Sequence, residues 1–178
     1  MDKNKLIFEA YNRSEFLKLE NPKYLERVED FTEKWLLEDV GSGDITAEAL
    51  LLKDNKVKAI IKAKSSGIIA GVTEAVWFYN NHKLGVKVFK KDGSPIKRGD
   101  IILELEGNEK DLFETERTGL NLLQRMSSIA TLTHEMVEKI KGKNVKILHN
   151  NIGIINDYDM SRSKIYNQLD NNIEKNII

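Results

Sequence analysis

Tyr24, Leu25, Val28, Phe31, Trp35 and Leu36 recur at helical spacing, with Glu26, Glu29, Asp30, Glu33 and Lys34 on the other side. Pro22 suits the opening turn of such a helix, where its missing N–H costs little, and the pattern predicts a helix to about Leu37. Lys56 to Lys64 alternates polar and apolar positions, as a strand with one wet face does. Ser65-Ser66-Gly67 turns into a short strand over Ile68 to Gly71. A helix from Val72 to about Lys83 comes next, with Val72, Ala75, Val76 and Tyr79 as its stripe and Trp77 and Phe78 widening it. Val86 to Phe89 and Ile101 to Gly107 are expected strands, separated by turn signals at Asp92-Gly93 and Gly99-Asp100.

From Leu112 to Val137 the apolar spacing is helical again, and broad enough for burial on more than one side. The consecutive serines Ser127-Ser128 can bond the backbone, which predicts a break in this helix. Cations and a glycine in Lys141-Gly142-Lys143-Asn144 should stop the second piece near Ile140. Ala47 to Leu52 is expected to be a short helical turn, and Val145 to Leu148 to begin another strand. Helices and strands thus mix without regular βαβ alternation. That order predicts an α+β fold, a sandwich with helices over an antiparallel or mixed sheet. Residues 1–24 are expected to be an extension, 25–141 the sandwich with its long helix, and 142–178 the start of a strand and an unmatched tail.

Composition narrows the function classes. The chain has 178 residues, room for one domain or one and a fraction. Lys+Arg and Asp+Glu are both 28, without the basic excess of a nucleic-acid or anionic-membrane binder. Cysteine is absent, so disulfides, thiolate nucleophiles and Cys-ligated metals are excluded. No apolar run approaches the roughly 20 residues that cross a bilayer, and Met1 to Lys5 opens onto no long apolar core. A cytoplasmic location is the expectation. His82, His134 and His149 lack the paired spacing of a zinc site; the first two are expected at exposed positions. The acids Glu38, Asp39 and Asp44 lack the dense ligand spacing of a calcium loop, and a turn-shaping role is expected.

The chemistry concentrates in the long helix. Arg117, Asn121 and Arg125 step by four and so share a face, with Gln124 beside them. A donor-rich strip of this kind suits a carboxylate or phosphate, which a guanidinium fork can grip with two parallel bonds. The alternative is a solvated arginine, or one paired with Asp111, Glu114 or Glu116. Arg125 is expected to be structural or at an interface, and Asn121 to cap or bond nearby backbone.

Two blocks carry a resemblance. Glu116-Arg117-Thr118 with Leu120-Asn121, Leu123-Gln124-Arg125, Ser127 and Ile129-Ala130-Thr131 closely resembles the signature of quinolinate phosphoribosyltransferase, the carboxylating nicotinate-nucleotide diphosphorylase. Glu38-Asp39-Val40-Gly41-Ser42-Gly43-Asp44-Ile45-Thr46 resembles the same family's opening motif. The resemblance implies the N-terminal sandwich of a type II phosphoribosyltransferase. It also implies conversion of quinolinate and phosphoribosyl diphosphate, with Mg2+, to nicotinate mononucleotide, CO2 and diphosphate. In that family the Arg of Glu-Arg-Thr binds a substrate carboxylate across a homodimer interface, which falls here on Arg117, with Asn121 and Arg125 as possible support. No nucleic acid or membrane partner is implied.

The resemblance covers roughly Glu29 to Leu148. Where the family continues with Thr-Arg-Lys-Thr into a (β/α) barrel, this chain has His149-Asn150-Asn151-Ile152, and the donor-binding Arg and Lys are missing. A barrel of about 200 residues or more does not fit between His149 and Ile178. The expectation is therefore a chain cut or shifted in frame near Leu148, holding no catalytic residue and inactive alone. Two rivals stand beside this one: a non-catalytic remnant or interaction module, and a molybdenum-transport-associated relative that shares the motifs loosely. Asp92-Gly93 through Glu106-Gly107 also resembles lipoyl and biotinyl carrier hairpins, but it lacks their modifiable Met-Lys tip.

Overall fold

A computed structural model describes residues 17–40 and 55–142. The expected turn at Ala47–Leu52, most of the Glu38–Thr46 block, the strand at Val145–Leu148 and the tail from 150 to 178 lie outside the described residues. The elements are α1 (Pro22–Val40), β1 (Lys56–Lys62), β2 (Gly67–Ile68), α2 (Val72–Asn81), β3 (Gly85–Val88), β4 (Pro95–Ile96), β5 (Ile101–Asn108) and α3 (Glu109–Ile140). A three-stranded sheet has the order β1-β5-β3, and β2 pairs with β4 separately; every pairing is antiparallel. The fold is α+β, and the described residues form no closed barrel.

Alternation along the strands sets the two faces of the main sheet. In β1, Lys56, Lys58, Ile60 and Lys62 are exposed while Val57, Ala59 and Ile61 turn inward. Lys58 reaches across to Glu106 at 3.1 Å and Glu104 at 3.7 Å on β5. Leu103 and Leu105 of β5 are buried with Ala75, Phe78 and Tyr79 of α2 and Leu122, Leu123 and Met126 of α3. Tyr24, Val28 and Phe31 of α1 are buried too. The Tyr24 hydroxyl donates to Glu74 Oε1 at 2.8 Å, which fastens α1 to α2. Burial, and then the neighbouring Glu74 carboxylate, push the Tyr24 phenol far up from its ordinary pKa.

The sequence placed a helix at Val72 but not the group that starts it. Its N-cap is Gly71, which turns at φ 85 and has no side chain to offer. The cap comes from Asp92 in the loop before β4. Its carboxylate accepts from Val72 N at 2.7 Å, Thr73 N at 3.2 Å and the Thr73 hydroxyl at 2.7 Å. A charged acceptor at a helix N-terminus also suits the helix dipole. Asp92→Ala should therefore cost about 1–2 kcal/mol, read as a lower urea midpoint with an unchanged m-value.

The expected break at Ser127-Ser128 does not occur: α3 runs without interruption from Glu109 to Ile140. Ser128 Oγ bonds the Gln124 carbonyl at 2.8 Å, a bond to the preceding turn that leaves the helix ladder in place. Ser127 faces the opposite way. Its hydroxyl accepts from Ala70 N at 3.1 Å and donates to Ala70 O at 3.3 Å, while Thr131 Oγ1 accepts from Ile68 N at 2.9 Å. The two hydroxyls thus satisfy backbone groups at and just beyond β2, where the expected strand over Ile68–Gly71 shortens to two residues.

Packing of α3 on α2 is closest at Gly119. A Cβ there would overlap the Tyr79 hydroxyl and ring. Tyr79 is fully buried, and its hydroxyl has no hydrogen-bond partner among the described residues. Burial, and then the charge of Glu116, raise its pKa well above the ordinary phenol value. An unbonded buried hydroxyl stabilises nothing, so Tyr79→Phe should be neutral or stabilising by up to about 1 kcal/mol in thermal or chemical unfolding.

Candidate anion-binding site on the long helix

The N-terminus of α3 is well made. Asn108 caps it through Oδ1, accepting from Lys110 N at 2.8 Å, and Glu109 and Asp111 place negative charge in its first turn. Its 32 residues span about 48 Å, and Thr115, Thr118, Leu122 and Met126 bury one side against the body. A side chain on the other side of this supported rod is held at a defined position.

Arg117 is such a side chain. It is 74% exposed, and its Nη1 lies 3.5 Å from Asp39 Oδ1 at the end of α1. The Asp39 side chain is 24% exposed, and its Oδ2 lies 3.5 Å from the hydroxyl of the buried Thr118. The two sequence blocks therefore meet in space at this contact. The close acidic partner of Arg117 comes from the first block, not from the local acids Asp111, Glu114 and Glu116. Sequence reasoning missed Asp39 as that partner. Its position inside the first block was the available signal, but nothing local to either block pairs them.

The expected strip of Arg117, Asn121 and Arg125 does not converge on one point. Each step of four overshoots a turn by about 40°, so two steps rotate the face by about 80°. Arg117 and Asn121 are exposed, while Arg125 is half-buried with its guanidinium 5.6 Å from the Trp35 ring centre. That cation–π contact places Arg125 in a narrow cleft with Tyr24, Phe31, Trp35 and Glu74, between α1 and the body. Gln124 is exposed. His82, expected exposed, is half-buried: its Nδ1 lies 2.9 Å from the Phe78 carbonyl and its ring packs on Phe78. His134 is also half-buried rather than on an open surface. Among the described residues no group of three or more His, Cys, Asp or Glu is placed to hold a metal ion, and no helix is long and apolar enough to cross a membrane.

An antiparallel sheet backed by helices, with an exposed guanidinium carried on the longest of them, defines an α+β domain that presents a cation to an external anion. Comparison with known proteins narrows the class. Residues 44–127 match the family described as quinolinate phosphoribosyl transferase, N-terminal domain. Through these residues the chain carries the N-terminal domain of the quinolinate phosphoribosyl transferase family. A probable nicotinate-nucleotide pyrophosphorylase [carboxylating] of Methanothermobacter thermautotrophicus is 37% identical over 115 residues, covering 65% of this chain and 41% of the relative. Its counterpart in Bacillus subtilis is 37% identical over 116 residues, covering 64% of this chain and 39% of the relative. The solved nicotinate-nucleotide pyrophosphorylase from Francisella tularensis superposes with a TM-score of 0.69 at 25% identity, over 80% of this chain and 51% of that one. The chain thus spans about two fifths of the length of these curated relatives.

Proposed function

We propose that this chain supplies the N-terminal, dimer-interface part of a quinolinate phosphoribosyltransferase. The reaction is that of a pentosyltransferase: quinolinate and phosphoribosyl diphosphate give nicotinate mononucleotide, CO2 and diphosphate on the route to NAD. In this reading the enzyme is a cytoplasmic homodimer, and Arg117 of one subunit grips a quinolinate carboxylate held in the other. Quinolinate is a dianion, and a fixed guanidinium both neutralises it and orients it through two parallel bonds. Asn121 flanks this position, whereas Arg125, occupied by Trp35, supports the helix.

The observation that carries the proposal is the exposure of Arg117 on a rigid helix, within the segment that matches the family. The described residues do not fit a metal site, so Mg2+ is assigned to phosphoribosyl diphosphate itself. The test is a chimera in which residues 17–142 replace the matched part of the Bacillus subtilis relative. Release of labelled CO2 from carboxyl-labelled quinolinate should persist at a substantial fraction of the parent rate. A folded, dimeric chimera that releases none would favour a non-catalytic interaction module.

A further inference from the structure

We infer that Asp39 is a positioning residue for Arg117, pinning one arm of the guanidinium so that its other edge stands open to a substrate carboxylate. The inference rests on the reading of Arg117 proposed above. The contact is lopsided: Arg117 is 74% exposed, whereas the Asp39 side chain is 24% exposed and its second oxygen reaches the hydroxyl of buried Thr118. The carboxylate is the fixed partner and the guanidinium the adjustable one. Asp39 also sits in the last turn of α1, which contains no basic residue. A carboxylate there faces the negative end of the helix dipole and is unfavourable without a compensating cation. Arg117 is that cation, delivered from α3.

Two effects of Asp39 on anion binding oppose each other. A second negative charge beside the guanidinium weakens binding of a carboxylate by about threefold in pure water. At physiological salt, where the Debye length is about 8 Å, that falls below about twofold. Restricting a rotamer-rich side chain before the ligand arrives strengthens binding by about two- to tenfold. Positioning therefore wins at physiological salt. Removing the charge from Asp39 should weaken quinolinate binding, although simple electrostatics favours the opposite.

The test uses the full chain with 15N-labelled arginine. The Arg117 Nε–Hε resonance is followed for motion and during a quinolinate titration, with exposed Arg98 as reference. In the parent, Arg117 should be less mobile than Arg98 and should respond to quinolinate. In Asp39→Asn its motion should approach that of Arg98 and the apparent affinity should fall about threefold, with thermal unfolding little changed because exposed pairs add little stability. Asp39→Glu, which keeps a carboxylate, should recover part of both effects. Unchanged Arg117 motion, or tighter binding in Asp39→Asn, overturns the inference while leaving Arg117 as the anion ligand. If Arg117 never responds to quinolinate in any variant, the reading of Arg117 itself fails, and this inference with it.

Discussion

Arg117→Ala, made in the chimera, should raise the KM for quinolinate by at least about 100-fold and leave thermal stability almost unchanged. The two halves of this expectation have different physical sources. Stability is insensitive because the side chain is 74% exposed and its pair with Asp39 is long, at 3.5 Å. Exposed pairs of that kind contribute between about 0 and 1 kcal/mol. Affinity is sensitive because substrate binding desolvates the guanidinium against a carboxylate. Truncating one partner of such a contact costs about 3–5 kcal/mol, since the other charge is left buried without a counter-ion. At about 1.4 kcal/mol per decade, this is roughly two to three and a half orders of magnitude. Arg117→Lys should recover only part of it, because an ammonium keeps the charge but not the planar fork. Steady-state kinetics with both variants, beside a thermal melt, checks the pair of outcomes. An unchanged KM in Arg117→Ala contradicts the assignment.

Gly119→Ala should act in the opposite way, lowering stability without touching the site's charge. Alanine is the better helix former by about 1 kcal/mol, so propensity alone predicts a gain. Packing reverses the sign. The added methyl would overlap the Tyr79 hydroxyl and ring, and Tyr79 is fully buried with no room to swing aside. Overpacking of this kind costs about 1–3 kcal/mol, and overlap with a rigid aromatic ring falls at or above the upper end. A net loss of about 2 kcal/mol or more should lower Tm by roughly 5–10 °C. The cause can be isolated with Tyr79→Ala, which removes the ring. In that background Gly119→Ala should cost little or stabilise, so the double-mutant cycle should show strong coupling. Additive effects would place the cost somewhere other than the Gly119–Tyr79 contact.

Range decides how much of the fold is legible in the sequence. Local periodicity was enough for β1, because the alternation from Lys56 to Lys62 marks the wet face residue by residue. It was enough for the two long helices too, to within a few residues at the ends. It could not show that β5 lies between β1 and β3, since strand partners are chosen by tertiary packing and not by spacing. The serine pair misled for a related reason. In isolation Ser127-Ser128 is a helix-bending signal, but Ser127 is engaged by the backbone of Ala70, 57 residues earlier.

The candidate site divides in the same way. Arg117 could be singled out from the wording of its block. Its partner Asp39, 78 residues earlier by number, could not be paired with it from helical offsets, which reach only three or four residues. The step of four from Arg117 to Arg125 suggested one continuous strip. The slow rotation of the helix, and the ring of Trp35 waiting at the cleft, separate the two guanidiniums. Gly119 gave no warning, because a glycine in mid-helix has no pattern until the ring facing it is known.

The central claim is that Arg117 serves the site of a neighbouring subunit, and mixed dimers test it most directly. One chimeric subunit carries Arg117→Ala with an intact barrel; the other keeps Arg117 but has an inactivated barrel. Each homodimer should be inactive with quinolinate and phosphoribosyl diphosphate. If the guanidinium acts across the interface, mixing them should restore CO2 release, because the intact barrel then receives an intact Arg117 from its partner. Mixed dimers that form but release no CO2 would contradict the account.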